Sequence, residues 1–149
     1  MGGLSGRSRM LSSVDGLTGA SDTTEAILIQ KRPPWILVAL IASVVVGEVI
    51  GNVVGIGDSL MAVLRIACAP VAYIGLTSYW ILAHRPGEVI LARSSKLTAR
   101  AIEVAERWPA PLNASLNSAI LSKKVELGNN QYYVARGFVG RFGKIVNGG

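Results

Sequence analysis

The sequence predicts a membrane α-helical hairpin of two transmembrane helices, followed by a small cytoplasmic antiparallel β or α+β domain. Three observations predict it. Residues 35–83 contain only three charges, Glu48, Asp58 and Arg65. Gly55-Ile56-Gly57-Asp58-Ser59 breaks that stretch into two runs, each long enough to cross hydrocarbon. Further on, KKVELGNNQYYVAR holds two alternating runs around Gly128-Asn129-Asn130, the pattern of a β-hairpin.

Composition points the same way. Half of the 149 residues are apolar and 16% are charged, against about a quarter charged in soluble domains. The net charge of +6 sits in the tail: residues 84–149 carry ten Lys/Arg and four acids, whereas residues 1–34 carry four and three. Cys68 is the single cysteine, which excludes an intrachain disulfide and a Cys-rich metal site. It reads as a small hydrophobe within an apolar run.

The N-terminal segment, residues 1–30, is rich in Gly, Ser and Thr and reads as a disordered tail. No apolar stretch follows Arg7 and Arg9, so a cleaved secretory signal is not expected. Gly6 stands where a myristoylation motif needs Ser or Thr. Thr23 to Gln30 is expected to form a helical turn or two, with Ile27, Leu28 and Ile29 against the membrane surface.

The hairpin is assigned to residues 31–84. Pro33 and Pro34 suit a helix start, where the missing N–H would be unpaired anyway. The first span, residues 35–54, measures about 30 Å at 1.5 Å per residue, the thickness of a bilayer core. The second is expected over residues 60–83, with Pro70 inside it. The link permits only a tight turn, so the spans are antiparallel neighbours. The turn has no Lys or Arg, while Lys31, Arg32, Arg85 and Arg93 flank the outer ends. The positive-inside rule then places both termini in the cytoplasm. Trp35, Tyr79, Trp80 and His84 are expected at that same interface.

Two features inside the spans go beyond an anchor. Ala39, Ser43, Gly47, Gly51 and Gly55 recur every four residues and form a stripe of small side chains that allows close helix approach. The stripe packs either the second span of the same chain or another subunit. Glu48 and Arg65 lie almost equally far from Ile56-Gly57, so an antiparallel hairpin brings them to one depth as an intramembrane ion pair.

The domain of residues 85–149 starts at a Pro86-Gly87 turn. Glu88 to Arg93 reads as a strand, and Ala101 to Trp108 fits either a strand or a helix face, with a strand preferred. Val89, Leu91, Val104, Trp108, Val125, Leu127, Tyr132 and Val134 form the expected core of three or four strands. Phe138 to Val146 reads as a helical turn or a further strand. About 60 residues is marginal for independent stability, and docking on the bilayer would help.

The pattern VILARSS…EVAERWP followed by ELG…YYVARGF, over roughly residues 87–139, resembles the C-terminal part of small uncharacterised two-span membrane proteins of actinobacteria. That group has no established chemistry, so the resemblance implies architecture alone. More distantly, the strand order is similar to that of a truncated bacterial pleckstrin-like domain, the chain being too short for all seven strands.

No catalytic set is found. The lone His and Cys are assigned to the membrane or its surface, no phosphate loop ends in Lys-Ser/Thr, and Glu103 and Glu106 alternate with arginines as on a solvated face. Neither a metal nor another cofactor is expected. The Asn113-Ala114-Ser115 sequon would face the cytoplasm, unused. The basic tail suits either a solvated surface or anionic headgroups. Basic and aromatic residues are not interleaved as in a nucleic-acid module. The functional expectation is a non-enzymatic membrane protein that displays a basic domain and assembles with itself or with another membrane protein. The alternative is a pore former of the holin type.

Overall fold

The computed structural model describes residues 2–119 and 122–148. The chain divides into two units: residues 1–31 with 79–149, and residues 32–78. The first unit is a seven-stranded antiparallel sheet flanked by helices; the second is a helical hairpin that lies between the first unit's two segments in the sequence.

The elements run α1 (Gly2–Thr18), β1 (Glu25–Lys31), α2 (Ile36–Val54), α3 (Asp58–Leu76), β2 (Ser78–Arg85), β3 (Glu88–Ser94), β4 (Ala101–Pro109), β5 (Leu116–Ala119), β6 (Ser122–Leu127), β7 (Asn130–Ala135) and α4 (Val139–Asn147). The strand order across the sheet is β4-β3-β2-β1-β7-β6-β5. The strand before the hairpin therefore occupies the middle of the sheet, between β2 and β7. Ile29 pairs with Val134, and the Thr24 N–H donates to the His84 carbonyl at 2.9 Å. The start of β1 thus lies beside the end of β2. The chain leaves the sheet after Lys31 and returns at Ser78 at one common end.

Alternation along the central strands fills both faces. Ile27 and Ile29 of β1, Leu82 of β2, Val89 and Leu91 of β3, and Val125, Leu127, Tyr132 and Val134 of β6 and β7 form one cluster with Phe142, Ile145 and Val146 of α4. Ala26, Ile81, Ala83 and Ile90 form the second cluster on the opposite face, covered by Met10 and Val14 of α1. Each fully buried Val, Leu or Ile stabilises by roughly 1.5–3 kcal/mol relative to exposure.

Several sequence expectations hold. The 88–93 strand and the preferred strand over 101–108 pair as β3 and β4. The hairpin around Gly128 pairs Leu127 with Asn130, with Gly128 at φ 57°. Six of the eight expected core residues are buried, while Val104 and Trp108 are partly buried against the two clusters.

Five expectations are corrected. Residues 1–30, read as a disordered tail, contain α1 and β1. Met10 and Val14, one helical turn apart, supply the apolar face that holds α1 to the sheet. Thr23 to Gln30, read as a helical turn or two on the membrane surface, instead runs into the central strand β1, Glu25–Lys31. The second apolar helix ends at Leu76 instead of Ala83. Thr77 has extended geometry (φ −83°, ψ 131°), and Ser78–Arg85 is strand β2. Pro86-Gly87 is no domain boundary but the β2–β3 turn, with Gly87 at φ 83°. With β1 and β2 added, the sheet has the seven strands for which the chain looked too short. The final apolar run is the helix α4.

Candidate functional site: a helical hairpin with paired charges

The hairpin follows directly from local chemistry. Pro33 and Pro34 precede α2, and Gly55 ends it in left-handed geometry, φ 70°, its N–H bonded to the Gly51 carbonyl. After Ile56 and Gly57, α3 begins with Asp58 in its first turn, where a carboxylate favours the positive end of the helix dipole. Pro70 lies within α3 and removes one backbone donor there. Both helices are long and apolar enough to cross a membrane.

They meet along one narrow seam. A Cβ built on Gly51 would stand 1.9 Å from the sulfur of Met61, and one on Gly47 would stand 3.0 Å from the Cys68 sulfur. Gly51 and Met61 are the buried residues of their helices. The small-residue stripe thus turns Gly47 and Gly51 toward α3 of the same chain. Gly55 is the helix cap, with open space around it. The Ser43 hydroxyl is turned back to its own helix, donating to the Leu40 carbonyl at 2.8 Å. The signal missed in the sequence was the partner side of this seam: Met61 and Cys68 are the residues whose bulk the glycines accommodate.

Glu48 and Arg65 form the expected ion pair. Arg65 Nε donates to Glu48 Oε2 at 2.7 Å, and Nη2 donates to Oε1, so the guanidinium clasps the carboxylate through both oxygens. The pair lies on a flank of the hairpin and not in its seam: the side chains are 40% and 53% exposed. Asn52, four residues after Glu48, and Asp58, seven before Arg65, share those helix faces and are also exposed. The remaining outer surface is apolar; Val53 is 82% exposed and Ile66 77%.

The four basic residues expected at a membrane surface are placed differently from one another. Lys31 ends β1 and its Nζ donates to Asn130 Oδ1 at 2.7 Å. Arg32 stacks over the Tyr73 ring, 5.3 Å from its centroid. Arg85 ends β2, pairing with Asp22 at 2.7 Å and Glu88 at 3.0 Å. Arg93 is exposed on β3, in register with Glu103 of β4. Because β1 and β2 run antiparallel, Lys31 and Arg85 sit at opposite ends of neighbouring strands, roughly 25 Å apart at about 3.3 Å per residue. Arg85 is thus set apart along the strand, whereas Arg93, in register with Trp80, lies toward the end of the sheet that holds Lys31.

The aromatic residues and His84 expected at the interface differ in their surroundings. Trp35 heads α2 and is 53% exposed. Trp80 meets Tyr132 edge to face at 5.9 Å inside the sheet unit. His84 is buried, its Nδ1 2.9 Å from the Thr24 hydroxyl. Burial, with the Glu106 carboxylate adding to it, pushes the Tyr132 phenol pKa up. Among the described residues, no group of three or more His, Cys, Asp or Glu is placed to hold a metal. No protein family, curated protein or solved structure matches this chain.

Proposed function

We propose that this chain is a non-enzymatic integral membrane protein whose hairpin crosses the bilayer twice and holds a folded β domain at the cytoplasmic face. One observation carries the reading: two adjacent helices of 19 residues each expose nearly all of their apolar side chains apart from one seam. Soluble proteins rarely expose contiguous apolar patches beyond a few hundred Å². A bilayer covers such a surface without a protein partner.

The insertion point supports a single-sided arrangement. The hairpin leaves β1 and returns to β2 at one end of the sheet, so both crossings start and finish on the domain's side. Lys31 and Arg32 before α2, and Arg85 and Arg93 after α3, favour the cytoplasm, while the turn carries no Lys or Arg. In this reading the protein works by assembly, with itself or within a larger complex of an inner membrane, and exposed basic residues of the domain meet anionic headgroups.

Membrane fractionation tests the proposal. The full chain should resist an alkaline carbonate wash and be released by detergent. Release by carbonate alone would refute it. Collapse of membrane potential on expression would instead select a holin-type pore.

A further inference from the structure

We propose that the Glu48–Arg65 pair is the centre of a homodimer interface, in which two hairpins meet through a two-fold axis along the bilayer normal. This rests on the membrane-spanning reading above and names the partner: a second copy of this chain.

Charged side chains inside a membrane almost always face protein or water-filled space. Here the carboxylate and guanidinium satisfy one another, yet each remains about half exposed on the flank of its own hairpin. The seam between the helices is filled by Gly47, Gly51, Met61 and Cys68, so it has no room to take the charges inward. Something outside the chain must cover them.

The arrangement of the pair selects the occupant. Glu48 lies six residues before Val54 at the end of α2, and Arg65 seven after Asp58 at the start of α3. At 1.5 Å per residue both are about 10 Å from the turn, so the pair lies across the hairpin and not along it. A two-fold axis along the normal keeps depth and exchanges left with right. A transverse pair of opposite charges therefore meets its own image in complementary register, with Glu48 facing the partner's Arg65 and Arg65 facing the partner's Glu48. Isologous contacts of this kind are the commonest in homo-oligomers. A pair stacked along the normal would have met like charges. The α3 side of the flank also fits close approach: the small residues Ala62 and Ala69 lie one turn to either side of Arg65.

The symmetry supplies its own test. Exchanging the charges, Glu48→Arg with Arg65→Glu, preserves the pair within the chain. It also preserves complementarity between two exchanged copies. A wild-type copy facing an exchanged copy, however, sets Glu against Glu and Arg against Arg. Full-length proteins carrying one dye at Ser118→Cys, in a Cys68→Ser background, are reconstituted in phosphatidylethanolamine–phosphatidylglycerol vesicles at equal low density. Energy transfer should report association for wild-type pairs and for exchanged pairs, and at least tenfold weaker association for mixed pairs. The exchanged homotypic sample shows that the variant folds. Mixed pairs associating as well as matched ones would overturn the interface. So would wild-type protein that is inserted but monomeric, a result that leaves the membrane reading standing. Protein that fails to insert at all would remove both.

Discussion

The seam of the hairpin makes a prediction that needs one substitution. A Cβ at position 47 would lie 3.0 Å from the Cys68 sulfur. In a relaxed disulfide, with an S–S bond of about 2.04 Å, a Cβ lies roughly 3 Å from the opposite sulfur. Gly47→Cys should therefore form an intrachain disulfide with Cys68 under mild oxidation. The closed loop of about 20 residues would stabilise the hairpin by ~3 kcal/mol in the chain-entropy treatment. The assay is intact mass and free-thiol count on the monomer, with and without reductant. Gly55→Cys is the control, since nothing lies within 4 Å of its Cβ. Monomer that keeps both thiols free while the new cysteine links two chains would refute the seam. It would turn the small-residue stripe outward, toward another subunit.

Three further outcomes are expected. Gly51→Ile should destabilise the hairpin by about 1–3 kcal/mol through overpacking on Met61, and Met61→Ala should restore part of that loss in a double-mutant cycle read by unfolding in bicelles. Val14→Ala should cost about 1–3 kcal/mol and expose α1 to proteolysis, because Val14 is fully buried against the sheet; an unchanged melting temperature in detergent would mean that α1 does not hold there. The folded state holds the Tyr132 proton more tightly than the unfolded chain does. Its contribution is complete below the ordinary tyrosine pKa of about 10 and is lost as pH rises past it. Tyr132→Phe should flatten that alkaline loss in a melting-temperature series, and an unaltered profile would assign the loss elsewhere.

The hairpin was legible because a membrane-length apolar run is a strong signal and because Glu48 and Arg65 mirror one another about the turn. The β domain was only half legible. Ser78–Arg85 is a central strand, buried on both faces through Ile81, Leu82, Ala83 and His84. Such a strand reads as a continuous apolar run and merges with the apolar helix before it. Glu25–Lys31 was obscured for the same reason, since Ala26, Ile27 and Ile29 serve opposite faces. Its partners, β2 and β7, lie far along the chain, and no local pattern announces that pairing. In α1, Gly and Ser dominate the composition, and Met10 and Val14 are its buried side chains among the described residues. The charge pair was legible as a pair but not as an exposed one: sequence spacing gives depth along the hairpin, whereas the flank it occupies depends on how the glycines rotate the two helices.

The central claim is that the hairpin spans a bilayer with the β domain and both termini on the cytoplasmic side. Single cysteines at Ser59, exposed at the start of α3, and at Ser118, exposed on β5, test it most directly in a Cys68→Ser background. In intact cells an impermeant thiol reagent should label the Ser59→Cys chain and spare the Ser118→Cys chain until the membrane is opened. Labelling of Ser118→Cys from outside, or equal protection of both sites, would contradict the account.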